Sequence, residues 1–252
     1  MKYLFLAAFL TIVFVACDSN KQDPGSMSAD KMASAEMTSL PDAEGWIELF
    51  DGKTTRGWRN YMKNEIGESW VVKDGALTLE VVEDGDHTRS LDGGDIITEG
   101  QYENFELSLE WKISACGNSG IMFNVVEGEQ YERTFHTGPE VQVLDNTCHP
   151  DARIRTHRAG DLYDLIACSE EVVKPAGEWN LVGIRIKDGD AEFYLNGVKV
   201  VEFTMFDKNW EAMIAKSKFK DMPGFGKFRK GHIALQDHDN AVAFRNIKLR
   251  EL

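Results

Sequence analysis

Beyond residue 44 hydrophobic and polar positions alternate rather than rotate. Phe105, Leu107, Leu109, Trp111 and Ile113 fall on one side of an extended segment, and Glu106, Ser108, Glu110 and Lys112 fall on the other, as in a half-buried strand. Shorter runs of the same kind occupy 70–73, 76–82, 121–126, 140–144, 181–186, 191–195, 199–203, 232–236 and 242–249. Turn signals separate them: Lys73-Asp74-Gly75, Lys187-Asp188-Gly189-Asp190 and Asn196-Gly197 predict hairpins, because Gly and Asn enter positive φ at little cost. One stretch, 207–218, predicts a short helix, with Asp207 as its cap and Trp210, Met213, Ile214 and Ser217 at helical spacing. Many short strands with one short helix predict an all-β antiparallel sandwich over residues 44–252, with no internal repeat and no second linker.

The chain opens differently. Lys2 precedes an apolar run over 3–16 that is too short for a permanent membrane span and suits a signal peptide over residues 1–16. Its end, Phe14-Val15-Ala16-Cys17, resembles the lipobox of bacterial lipoproteins, which implies cleavage before Cys17 and lipid attachment to Cys17. Residues 17–43 lose hydrophobic periodicity and read as the lipidated cysteine followed by a flexible tether. The expected location is the bacterial cell envelope, with the lipid anchor in the membrane and the periplasmic or surface face left open. A soluble secreted protein with an incidental cysteine is the alternative.

Charge narrows the partners. Lys and Arg number 28 against 42 Asp and Glu, a formal net charge of −14, which is the wrong sign for a nucleic acid. Three cysteines remain besides Cys17, so at least one thiol stays free in a monomer, and in an oxidising envelope Cys148 with Cys168 is the expected pair.

Several strings carry a resemblance. Gly117-Asn118-Ser119-Gly120-Ile121-Met122-Phe123 is followed by Pro139-Glu140-Val141-Gln142-Val143-Leu144-Asp145-Asn146 and then by Gly160-Asp161-Leu162-Tyr163. Further on come Lys174-Pro175-Ala176-Gly177-Glu178-Trp179-Asn180, Leu195-Asn196-Gly197-Val198 and Gly231-His232-Ile233-Ala234-Leu235-Gln236-Asp237-His238, then Phe244-Arg245-Asn246-Ile247. Together with the opening Trp46-Ile47-Glu48-Leu49-Phe50-Asp51-Gly52-Lys53, these resemble the 3-keto-disaccharide hydrolase family, whose members are also described as 3-keto-glucoside 1,2-lyase/3-keto-2-hydroxy-glucal hydratase. The match spans nearly the whole domain. It implies a concanavalin A-like jelly-roll β-sandwich, a 3-keto-sugar glycoside as substrate, and an oxidoreductase in the same pathway that makes the ketone.

The residues themselves offer matching chemistry. On the strand at 140–144, Glu140 and Gln142 share one face while Val141 and Val143 fill the other. Near the end of the chain His232, Ala234, Gln236 and His238 share a face. Jelly-roll glycosidases carry a Glu-x-Asp-x-Glu strand, whereas this chain has Glu140-x-Gln142-x-Leu144, so the second carboxylate is missing from the strand. A ketone lowers that requirement, because it acidifies the neighbouring C–H and lets the anomeric substituent leave by β-elimination, after which water adds. Glu140 or His238 is then the candidate base, Tyr163, His149 or a divalent metal the acid or electrophile, and Asn118, Gln142 and Gln236 the candidate hydroxyl ligands.

Structural alternatives accompany each. Glu140 could pair with Arg245 across strands, Gln236 and His238 could be solvated edge groups, and Tyr163 could be a core aromatic. The tryptophans read as core, with Trp210 on the helix the one that could rim a groove. Asp145, Cys148, His149 and His157 cluster in sequence without matching a zinc motif, which leaves a divalent ion on Asp145 and carbonyl oxygens open. A carbohydrate-binding lipoprotein without turnover and a structural lipoprotein are the competing function classes.

Overall fold

The computed structural model describes residues 45–85 and 87–252; the predicted signal peptide, the predicted lipidation site Cys17 and the predicted tether lie outside the described residues. Alternation becomes strand almost wherever the sequence shows it. In chain order the strands are β1 (Ile47–Glu48), β2 (Trp58–Asn60), β3 (Trp70–Lys73), β4 (Ala76–Leu79), β5 (Val82–Asp84), β6 (His87–Arg89), β7 (Ile96–Thr98) and β8 (Phe105–Ile113). They continue with β9 (Asn118–Val125), β10 (Glu140–Leu144), β11 (Asn180–Lys187), β12 (Asp190–Leu195), β13 (Val198–Thr204), β14 (His232–Leu235) and β15 (Val242–Glu251). One larger sheet runs β13-β12-β11-β8-β15-β4-β3 with β1 added on β15, and a second runs β10-β9-β14-β7-β2. All the pairings are antiparallel. This is the antiparallel sandwich that the alternation predicts and the jelly roll that the resemblance implies.

The core lies between the sheets. Leu107, Leu109 and Trp111 of β8 and Val182, Ile184 and Ile186 of β11 join Ile121 and Phe123 of β9, Val141 and Val143 of β10, and Ile233 and Leu235 of β14 in one buried cluster. Burying each such side chain contributes about 1.5–3 kcal/mol, which is why the polar partners in the alternation are forced to the opposite face. The predicted hairpins close as expected, with both turn residues at positive φ in Asp74-Gly75, Asp188-Gly189 and Asn196-Gly197. The strands that pattern alone missed, β1, β2, β5, β6 and β7, have two or three residues each, too few to display a period.

Three expectations are corrected. The helix, α1 (Lys208–Ile214), is capped by Asp207, whose carboxylate accepts the Trp210 N–H at 2.7 Å, but it stops four residues earlier than the spacing predicts. After the Ala215 N–H bonds the Glu211 carbonyl the backbone tightens to i→i−3 turns, Ser217 donates both its N–H and its hydroxyl to the Ile214 carbonyl, and the Lys218 N–H goes to the Asp164 carboxylate at 2.8 Å, so the helix is not continued. Trp210 rims nothing: it is buried, stacks on Phe203 and donates its indole N–H to the Gly226 carbonyl at 2.9 Å.

The disulfide joins Cys116 to Cys148, with Cα atoms 5.0 Å apart, and Cys168 is the free thiol among the described residues. Asp145, at the end of β10, accepts the Cys116 N–H at 2.8 Å and so brings the β8–β9 turn against the loop that carries Cys148. Cys168 is held elsewhere, its N–H donated to Asp161 at 2.7 Å, and burial pushes its thiol well above the ordinary range. Peptide mapping without reduction should therefore recover a Cys116–Cys148 link, with Cys168 resisting alkylation until the protein unfolds; a Cys148–Cys168 link would refute this pairing.

Candidate active site

Strand β10 builds the site because its two faces meet different media. Val141 and Val143 point into the core, while Glu140 and Gln142 point to the outer face of the smaller sheet. A loop is stitched along the free edge of this strand. Gln142 N–H donates to the Asp161 carbonyl at 3.0 Å, Gly160 N–H to the Gln142 carbonyl at 2.8 Å, and Tyr163 N–H to the Glu140 carbonyl at 3.0 Å. Tyr163 is thereby placed beside Glu140. On the other side Gly120 of β9 faces Gln142, and a Cβ at Gly120 would overlap the Glu140 carboxyl, so this glycine is the space the acid occupies.

The result is a cavity of about 340 Å³ whose lining includes Asn118, Glu140, Gln142, Tyr163, Gln236 and His238, all predicted from the sequence. It also includes Lys218, which was not. Glu140 is buried, and its carboxyl makes no hydrogen bond or ion pair within the described residues. Burial pushes its pKa up to about 8; Asp95 and Asp151 push the same way, and the Lys218 ammonium opposes them. Lys218 lies with Nζ 3.8 Å above the centre of the Tyr163 ring, its own pKa lowered by burial against the pull of Glu140, Asp164 and Asp151. The Tyr163 hydroxyl donates to Asp151 Oδ2 at 3.3 Å, and burial, with the Asp151 and Glu140 carboxylates, raises its pKa and keeps it protonated.

The amides differ in what they have free. Asn118 Oδ1 is buried without a hydrogen-bond partner among the described residues, an acceptor left open beside the cavity. Gln142 is already engaged, donating to the His157 carbonyl at 3.3 Å and accepting the Val143 N–H at 3.1 Å. Gln236 lies just past β14, where its backbone N–H holds the Gly120 carbonyl at 2.9 Å and leaves the side chain facing the cavity.

Other predicted groups lie elsewhere. His149 lines an adjoining cavity with His238, and its Nδ1 accepts the Asp151 N–H at 3.2 Å. Its pKa is lowered, chiefly by burial and also by the charge of His238. His232 does not share the site with Gln236 and His238: its ring bonds the Thr98 carbonyl at 2.7 Å and Gln101 at 2.9 Å. The alternative pairing of Glu140 with Arg245 is ruled out, because Arg245 binds Glu110 at 2.6 Å on the larger sheet. Asp145 is not arranged for a divalent ion, since its carboxylate already accepts the N–H groups of Cys116 and Thr147 and the Thr147 hydroxyl. The neighbouring Cys116 and Cys148 are joined to each other and offer no thiolate.

Two charged groups escaped sequence reading. Lys218 follows the helix in a segment of turns, and no spacing marks it. Asp95 precedes β7, accepts the Asp237 N–H at 3.0 Å and a bond from the Thr134 hydroxyl, and has its pKa raised by burial.

Comparison with known proteins gives a consistent picture. A family model described as the 3-keto-alpha-glucoside-1,2-lyase-like domain matches residues 45–250. The 3-keto-disaccharide hydrolase of Bacteroides thetaiotaomicron is 34% identical, with 95% of this chain and 94% of that protein covered. Two crystal structures from Parabacteroides distasonis, both of proteins named as candidate glycosyl hydrolases, share the fold. One has a TM-score of 0.72 at 31% identity, covering 83% of this chain and 94% of its own. The other has 0.60 at 26%, covering 82% and 99%.

Burial of Glu140 has a consequence for stability. The folded carboxyl ionises near pH 8 and an ordinary one near 4.5, so across that interval the folded chain keeps a proton that the unfolded chain has released. Its stabilising contribution is complete below the lower value and is lost as pH rises through the upper one. Glu140→Gln should therefore raise Tm relative to the parent at about pH 9, by the equivalent of a few kcal/mol at most, and change it little at about pH 4. Equal Tm differences at both pH values would contradict the buried, raised carboxyl.

Proposed function

The chain belongs to the 3-keto-alpha-glucoside-1,2-lyase-like family, and from that premise we propose that it cleaves 3-keto-glycosides by proton abstraction next to the ketone, β-elimination and hydration, with net hydrolysis as the outcome. The observation that carries this reading is Glu140: a buried carboxyl with a pKa raised to about 8, free of hydrogen bonds among the described residues, facing a cavity that also holds a cation. A base tuned close to the working pH combines adequate ionisation with adequate proton affinity.

In this reading the Glu140 carboxylate removes the proton from ring carbon 2, and negative charge develops on the ketone oxygen. Lys218 supplies positive charge for that oxygen, and the protonated Tyr163 hydroxyl supplies the donor once it turns from Asp151. Asn118 Oδ1 accepts from a sugar hydroxyl, and Gln236 binds another. Gln142 contributes by holding the His157 carbonyl, hence the loop that presents Tyr163. Elimination leaves an enone bearing the 2-hydroxyl. Water then adds to carbon 1 while Glu140 returns its proton to carbon 2.

The ketone must come from an oxidoreductase acting earlier on the glycoside. The signal peptide and Cys17 support an envelope location with a lipid anchor as part of the same proposal.

Unoxidised parent glycosides should not react, because without the ketone their C–H bond is far too weak an acid for a side-chain base. Glu140→Gln should lower kcat on the 3-keto substrate by about 10²-fold or more with little change in KM. In deuterium oxide the product should carry deuterium at the carbon beside the ketone. Cleavage of the parent glycoside at a comparable rate would return the protein to ordinary glycosidases.

Lys218 offers a second test. Its charge holds Glu140 down against burial and against Asp95 and Asp151. Lys218→Met should move the limb of the kcat profile where activity rises with pH to higher pH, and Lys218→Arg should restore its position in part. An unmoved limb in Lys218→Met would mean that the base responsible is not Glu140.

A further inference from the structure

The Glu140 cavity opens beside a larger one of about 660 Å³, and His238 belongs to the lining of both. The second cavity is walled by the β5–β6 hairpin through His87 and Thr88, by His149, and by Asn240. Among the described residues its lining contains no phenyl, phenol or indole ring. Its polar side chains are the imidazoles of His87, His149 and His238, the Thr88 hydroxyl, the Asn240 amide and the carboxylates of Glu83 and Asp239, a set that binds a hydroxyl-bearing partner by hydrogen bonds rather than by stacking.

We propose that this second cavity is the leaving-group subsite, that it takes a sugar, and that His238 is the acid that protonates the departing oxygen. The inference rests on the lyase reading above and adds the geometry of departure. A glycoside whose oxidised ring sits over Glu140 needs room for its other half, and the adjoining cavity is where the lining continues. The bond that breaks joins the two halves, so it falls at their junction, where His238 stands. Glu140 and His238 then act on different atoms. The C2–H bond breaks and its proton passes to the Glu140 carboxylate. The electron pair becomes the C1–C2 double bond, the C1–O bond breaks, and its pair stays on the oxygen, which takes a proton from the His238 imidazolium. In hydration the flow reverses: water adds its oxygen to C1 and gives a proton to the imidazole, while the Glu140 carboxylic acid returns one to C2. Both residues end as they began, and no oxidant or reductant is consumed. Imidazole suits this shuttle because it gives and takes protons near neutral pH.

The deciding experiment compares two leaving groups in the full protein: a 3-keto-disaccharide, whose departing sugar alkoxide is strongly basic, and p-nitrophenyl 3-keto-glucoside, whose nitrophenolate departs without protonation. His238→Gln should slow the disaccharide by about 10²-fold or more and the nitrophenyl substrate by less than about 10-fold, whereas Glu140→Gln should slow both alike. His87→Ala should raise KM for the disaccharide relative to the nitrophenyl substrate, by about three- to tenfold. Equal slowing of both substrates by His238→Gln would overturn the assignment and place His238 at the C–H bond. No slowing of either would make it a bystander. Failure of the lyase reading itself has a separate signature, because the parental protein would then cleave the unoxidised disaccharide as well as the oxidised one.

Discussion

Removing one carboxyl from water sets the terms for the rest of the site. Glu140 is buried on the outer face of the smaller sheet, where desolvation outweighs the nearest cation and lifts its pKa to about 8. That position depends on the strand being anchored from behind. Val141 and Val143 are locked into the core, and because side chains alternate strictly, Glu140 has no other face to occupy. A one-residue slip of β10 would bury two polar groups in the core and expose two valines, so the packing of the sandwich is also what fixes the acid.

The neighbours complete the constraint without neutralising it. Gly120 leaves the volume for the carboxyl, and the Glu140 carbonyl draws Tyr163 alongside through the backbone. None of these contacts is a hydrogen bond to the carboxyl itself, which leaves it available for the base role of the proposed reaction rather than tied up as a structural ion-pair member. Asp161 shows the contrast. It is buried as well, but its oxygens accept the N–H groups of Arg158 and Cys168, at 2.6 and 2.7 Å, and it is consumed in shaping the loop.

What could be read from the sequence follows from what leaves a period. β8 and β10 were legible to the residue because core burial imposes alternation on them, and the same alternation assigned Glu140 and Gln142 to a common face. The short strands were not, since two or three residues carry no period. Lys218 and Asp95 were invisible for another reason: each reaches the site by tertiary placement, one from turns after α1 and one from the residue before β7. The disulfide was misjudged because the partner of Cys148 is chosen by Asp145, whose bond to the Cys116 N–H pulls two loops together. His232 matched the pattern of the face but not its contents, because β9 and β14 shift register between His232 and Ala234 and the ring turns to Thr98 and Gln101.

The missing strand carboxylate gains meaning from these placements. At the position where a retaining glycosidase of this architecture holds its second acid, this strand carries Leu144, a buried apolar side chain on the face of Glu140 and Gln142. Asp95 supplies a carboxyl near enough to influence Glu140, but it is bound to the Thr134 hydroxyl and the Asp237 N–H, and burial favours its neutral form. A buried acid that already holds two hydrogen bonds is not free to attack an anomeric carbon. With Glu140 the one carboxyl in the cavity lining among the described residues, the site is short of a partner for an unactivated acetal and sufficient for a carbon acid, because in the proposed reaction a ketone in the substrate supplies the activation that the second carboxylate would otherwise provide. Lys218 fits the same logic: a cation beside the base is of little use to an oxocarbenium-like transition state and of direct use to an enolate.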